Sequence, residues 1–278
     1  MRLRTGPIAF KDEQKKIAIV SFPYKLIHRF IAWGTLLSIC TLAQASPVKE
    51  SNLKPHLDVI TLKGLMSKGL KNSINSNQFW PQIFQTYGSA ALVPLLSIAK
   101  NEKEHDELRW ASIYGIARLT GKKGLGVIQR FTHDRSWLMR DAALRSFAAL
   151  NAKEMKPVIE ASLHDKALVV RTTAVDVIGH LRLESAGPRL VDALFDPVNY
   201  RGGKPLWIQD HIFSALTQIG YRGASPRLVE LLEKRKDPAL QKKVVATLER
   251  LNQKTFGTKP MDQQIYLWKR NTIAEKTF

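Results

Sequence analysis

An apolar pattern that returns every thirty-odd residues constrains this chain more than anything else in it. Segments beginning at Leu108, Met139, Val170, Ile208 and Leu240 are offset by 31, 31, 38 and 32 residues. Position 0 of each is followed by apolar side chains at positions 5, 8 and 11. These are Ile113, Ile116 and Leu119; Leu144, Phe147 and Leu150; Val175, Ile178 and Leu181; Phe213, Leu216 and Ile219; and Val245, Leu248 and Leu251. Position 4 is small or aliphatic throughout: Ser112, Ala143, Ala174, Ile212 and Val244. At 3.6 residues per turn these positions form one stripe on a helix, and the small residues let a neighbour approach closely. A period of this length marks a chain of supersecondary units that each bury an apolar face against the next.

A second helix precedes each of these segments. Its first turn carries Pro94, Gly126, Pro157, Pro188 or Pro226, where a missing N–H costs nothing. Apolar pairs such as Leu95-Leu96 and Leu228-Val229 follow. Short loops between the helices make neighbours antiparallel. The expected fold class is therefore all-α, with about five helix pairs over residues 90–256. Residues 46–89 are expected to supply a linker and capping helices, with Leu57, Ile60, Leu65, Leu70, Phe79, Trp80, Ile83 and Phe84 as core. Residues 257–278 form a C-terminal cap through Ile265, Tyr266 and Trp268. Such covers are needed because the last unit of a stack otherwise exposes an apolar face.

Two units add a polar signature, Asp134 six residues before Arg140 and Asp165 six before Arg171, and Arg109 stands in the same column one period earlier. On these residues the chain resembles the HEAT and HEAT-like repeats, including the phycobilisome-lyase type. The resemblance covers about residues 90–256 and implies a right-handed α-solenoid in which a turn Asp and a helix Arg form a ladder between repeats. Gln209 and Gln241 replace Arg in the last two repeats, so the ladder is expected to stop halfway, and its pairs are expected to be partly exposed.

Residues 30–42 are an uncharged apolar run preceded by Lys25 and Arg29 and followed by Ala43-Gln44-Ala45. That combination matches a secretory signal peptide cleaved after Ala45, and the run is shorter than a bilayer span requires. The 24 residues before Lys25 are long for a leader, which places the natural start downstream of Met1, for example at Val20. Cys40 is the single cysteine, and Ile39 before it is too bulky for a lipoprotein cleavage box. Cleavage after Ala45 leaves no thiol, which excludes disulfides, cysteine–metal sites and thiol catalysis. The whole chain carries +19; removing the leader's 7 Lys or Arg and 2 acids leaves 36 against 22, still strongly basic. A periplasmic or secreted location follows as the expectation, with membrane contact only through a retained leader.

Motifs that would carry chemistry are scarce. Gly121-Lys122-Lys123-Gly124 lacks the spacing of a phosphate loop and reads as a turn. No serine sits in G-x-S-x-G and no histidine pair in H-E-x-x-H. His133-Asp134 and His164-Asp165 recur at 31 residues. Iron-binding HEAT enzymes that hydroxylate a modified lysine are similar in layout but use His-Glu pairs in several repeats. The aspartates here suit the structural ladder instead. No catalytic residue, metal or cofactor is assigned, and Asp210-His211 reads as polar helix surface.

The candidate binding residues lie in two places. Positions 2 and 6 of the second helices, which the apolar stripe leaves free, carry Trp110, Tyr114, Asp141, Arg145, Asp176, Asp210 and Lys242. In a HEAT stack this face lines the concave side. Aromatic and Arg side chains there are the usual anchors of protein recognition. The second place is the insertion Asp196–Pro205, where Tyr200, Arg201 and Lys204 can reach an acidic group and Gly202-Gly203 is expected to give flexibility. The expected function is an exported, non-enzymatic scaffold for a protein or peptide that is acidic in part. The alternatives are a basic nucleic-acid binder resembling the alkylpurine DNA glycosylases, or a lyase-type accessory protein. An export signal and the lack of a uniformly basic helix column oppose nucleic acid.

Overall fold

The computed structural model describes residues 56–71 and 76–274, all within the unit Leu53–Phe278. The leader, its cleavage site, Cys40 and the side chain of Leu70 lie outside what is described. Two helices, α1 (Val59–Lys71) and α2 (Ser76–Tyr87), come before five helix pairs. The pairs are α3 (Leu92–Lys100) with α4 (Asp106–Thr120), α5 (Leu125–Arg130) with α6 (Trp137–Ala149), α7 (Lys156–Ala161) with α8 (Leu168–His180), α9 (Gly187–Phe195) with α10 (Ile208–Ile219), and α11 (Ser225–Lys234) with α12 (Pro238–Asn252). Helix α13 (Met261–Ala274) ends the described chain. Among the described residues the sheet content is one hairpin, β1 (Tyr200–Arg201) and β2 (Lys204–Pro205), so the unit is all-α.

The pairs after the first share their punctuation in most places. Asp134, Asp165 and Asp237 accept backbone N–H groups from Ser136, Ala167 and Ala239 at 2.8, 2.8 and 2.9 Å, satisfying donors that a helix start leaves unpaired. Pro157, Pro188 and Pro226 open α7, α9 and α11 as expected. At the far end the N–H of Ala152, Leu183, Tyr221 and Lys254 reaches back five residues to Phe147, Ile178, Leu216 and Glu249 at 2.9 to 3.2 Å. This is the Schellman closure, and Asn151, Arg182, Gly220 and Gln253 take the positive φ it demands.

The stripe packs as the spacing predicts. Helices α4, α6, α8, α10 and α12 each pack on the next, and α3, α7, α9 and α11 each pack on their own partner. Ile113, Ile116, Leu144, Phe147, Ile178, Leu216 and Leu248 are fully buried. Gly179 lets α8 and α10 meet, since a Cβ there would lie 3.2 Å from the Ala215 Cα. Two expected core residues are exposed. Ile60 stands off the stripe of α1 that Leu62 and Met66 bury, and Tyr266 lies outside the seat that Trp268 takes against Phe256.

The polar ladder runs between the helix pairs. Arg109 donates to Asp134 at 2.7 Å, and Arg140 grips both oxygens of Asp165 at 2.7 Å. These pairs are more enclosed than expected, because Arg109 and Arg140 are buried and the Asp134 and Asp165 side chains are 13% and 12% exposed. Burial disfavours the Asp165 carboxylate, but the Arg140 guanidinium and the Ala167 N–H outweigh it and hold its pKa below the usual 3.8. At the next rung Arg171 finds no carboxylate; it donates to Asn199 Oδ1 at 2.9 Å and to the Val198 carbonyl at 3.1 Å.

Candidate functional site

The columns at positions 2 and 6 run across successive second helices, and the structure joins them to a column the spacing did not single out. Position 3 reads Ala111, Ala142, Thr173, His211 and Lys243. From the third repeat on it is polar, and each of those side chains reaches back to the preceding helix. The Thr173 hydroxyl donates to Asp141 Oδ1 at 2.5 Å, and Arg145 holds Asp141 Oδ2 at 2.8 Å while donating to Thr173 Oγ1 at 3.2 Å. His211 Nδ1 lies 2.6 Å from Asp176 Oδ1. An ionised carboxylate only accepts, so Nδ1 carries the proton. Lys243 Nζ bridges both oxygens of Asp210 at 2.7 and 2.8 Å. The change from Ala to polar residues in this column was the available signal for the whole row.

Burial sorts the candidates. Asp141, expected on an open face, is 1% exposed and belongs to the Thr173–Arg145 knot. Asp176 is partly buried, whereas Asp210 and Lys242 are exposed. The hydrogen bond from His211 to Asp176 raises the imidazole pKa above its usual 6.5, against the opposing effect of burial. At the start of the row Trp110 and Tyr114 stack one turn apart, rings 3° from parallel and 6.1 Å between centroids. The exposed Arg118 guanidinium lies 5.8 Å from the centre of the Tyr114 ring. Trp110 also packs on the core, and its buried indole N–H has no hydrogen-bond acceptor among the described residues.

Tyr200, Arg201 and Lys204 stand apart from that row, on the β1–β2 hairpin. Tyr200 pairs with Pro205 and Arg201 with Lys204. Gly202 and Gly203 both take positive φ, 56° and 73°, which a two-residue hairpin turn of this twist requires. The glycines therefore close a tight turn, where flexibility was expected. Tyr200 donates to the Leu194 carbonyl at 2.7 Å, and burial pushes its phenol pKa up. Arg235 lies 5.4 Å from the centre of its ring and donates to the Gly203 carbonyl at 3.0 Å. Arg201 and Lys204 are exposed. So is Trp207 just beyond, at 51%, although its indole N–H donates to Thr172 Oγ1 at 3.1 Å.

His164 faces Asp196 of the following turn at 3.6 Å, and among the described residues no group of three or more His, Cys, Asp or Glu is placed to hold a metal. Comparison with protein families and with curated proteins finds no match.

Proposed function

We propose that this chain is an exported, non-enzymatic HEAT-like scaffold, a right-handed α-solenoid that holds a protein or peptide along the exposed row of its second helices. The observation that carries this reading is the parallel Trp110–Tyr114 pair with Arg118 over the tyrosine. Rigid aromatic side chains beside a guanidinium supply contact area and a bidentate donor at little entropic cost. The rest of the row supports it. Asp176 and Asp210 are each held by a side chain of the next helix, so a ligand meets polar groups whose geometry is already set, over the buried Asp141 knot. Export rests on the apolar run at 30–42 and the Ala43-Gln44-Ala45 that follows.

The test uses residues at the outer margin, Tyr114, which packs on the core while partly exposed, and the exposed Arg118. Arg145 holds the buried Asp141, so its removal would strand a charge, whereas Tyr114 and Arg118 lie further out. Tyr114→Ala with Arg118→Ala should weaken a captured partner at least tenfold, or about 1.4 kcal/mol, in titration calorimetry. Circular dichroism should stay unchanged. Unaltered affinity would refute the row as the binding surface.

A further inference from the structure

A second surface lies along the turns that join the two helices of the last four pairs. Side chains tie these turns to one another in sequence. Arg109 reaches Asp134, Arg140 reaches Asp165, Arg171 reaches Val198 and Asn199, and Arg235 reaches Gly203. The turns at 131–136, 162–167, 196–207 and 235–237 therefore form one continuous edge. Its charges are sorted by depth except at Asp237, which is exposed. The acids Asp134 and Asp165 point into the ladder, where buried guanidinium groups meet them. Asp196 and Asp237 accept backbone N–H groups at their own helix starts. The cations Arg135, Lys166, Arg201, Lys204, Arg235 and Lys236 are exposed. Arg135 has Glu102 at 3.5 Å, a contact between two exposed side chains that water screens. Within the same edge Val198 and Trp207, two of the large exposed apolar residues, bracket the hairpin that carries Arg201 and Lys204.

We infer that this basic edge docks on an anionic membrane surface, with Arg135, Lys166, Arg201 and Lys204 meeting lipid headgroups and Val198 and Trp207 entering the headgroup boundary. Cations and apolar side chains on one edge suit that boundary, where the first find phosphates and the second leave water. A nucleic-acid backbone offers the cations the same phosphates but nothing for Val198. Each Lys or Arg held near an anionic surface adds about fivefold to affinity.

Vesicle co-sedimentation of the full chain tests this. The apolar run at 30–42 is present in every sample, so differences between variants report the edge. Vesicles of phosphatidylcholine with phosphatidylglycerol should bind the chain more tightly than phosphatidylcholine alone. Lys166→Glu with Lys204→Glu should lose at least tenfold on the anionic vesicles, and added salt should weaken the unaltered chain in the same direction. Val198→Ser with Trp207→Ser, checked by circular dichroism, should weaken vesicle binding severalfold and leave binding to duplex DNA unchanged. Equal vesicle affinity of the charge-reversed and unaltered chains overturns the inference. So does tighter binding to duplex DNA than to anionic vesicles with the charge reversal acting on DNA alone, which would make the edge a nucleic-acid surface. Vesicle affinity unmoved by the Val198 and Trp207 changes overturns the membrane assignment as well.

Discussion

The early and late repeats fasten the same turn with different chemistry. Arg140 and Arg171 donate to the carbonyls of Asp134 and Asp165, six residues back, at 2.9 and 2.8 Å. Gln241 donates to the carbonyl of Arg235, also six residues back, at 3.0 Å. The shared requirement is a buried donor that satisfies the carbonyl of the turn; positive charge is not needed for it. What the guanidinium adds is reach. Arg140 continues to Asp165 of the next turn, while the carboxamide of Gln241 ends at the carbonyls of Leu232 and Arg235. Along the turns, early repeats are thus coupled by enclosed ion pairs; late repeats rely on packing and on the exposed Lys243–Asp210 pair of the outer row.

The core beneath the two halves is the same, and it should break the same way. Leu144→Asp in the early half and Leu248→Asp in the late half each place an unpaired charge at a fully buried site. Both should abolish the cooperative thermal transition followed by circular dichroism, with losses beyond about 4 kcal/mol. A melting curve unchanged in either would show that the stripe is assigned to the wrong face.

The rungs should differ. Arg140→Gln keeps a donor for the turn but strands the enclosed Asp165, a loss of about 3 kcal/mol by denaturant titration. Gln241→Ala removes one neutral hydrogen-bond donor and should cost about 1 kcal/mol. Equal costs would erase the distinction between the halves. Acid should narrow the difference. The Asp165 pKa is depressed, so its contribution is complete above the usual 3.8 and is lost as pH falls through the folded value.

The smallest effect belongs to the outer row. His211 has a raised pKa, so its pairing with Asp176 contributes fully below the usual 6.5 and fades as pH rises through the folded value. Melting temperatures of the unaltered chain and His211→Asn should converge as pH rises past that point. A constant gap would mean that the imidazole acts through packing alone.

Much of this was legible in the residues. The helix pairs, their prolines and the buried stripe followed from spacing, because an apolar period admits few ways of hiding itself. Gln209 and Gln241 showed that the charged ladder would stop, but its last ion pair is Arg140–Asp165, one rung earlier than they imply, because Arg171 meets Asn199 and the Val198 carbonyl. Burial of Asp141 was not legible, since it depends on Thr173 arriving from a neighbouring helix 32 residues away. Position 3 was passed over for a related reason. Ala111 and Ala142 carry no polar group there, and the polar residues that follow gain meaning only when set beside the preceding helix. The tight hairpin is not legible because two adjacent glycines permit flexibility and tight turns alike.

Photo-crosslinking tests the proposed binding role of the row most directly. A photoreactive phenylalanine analogue replaces Tyr114 in one protein and the exposed Asp192 of α9 in another, and each is irradiated in an extract of the cell envelope. The account predicts a discrete crosslinked species from position 114, diminished by Arg118→Ala, and none of that size from position 192. Crosslinking from position 192 with none from position 114 would contradict it.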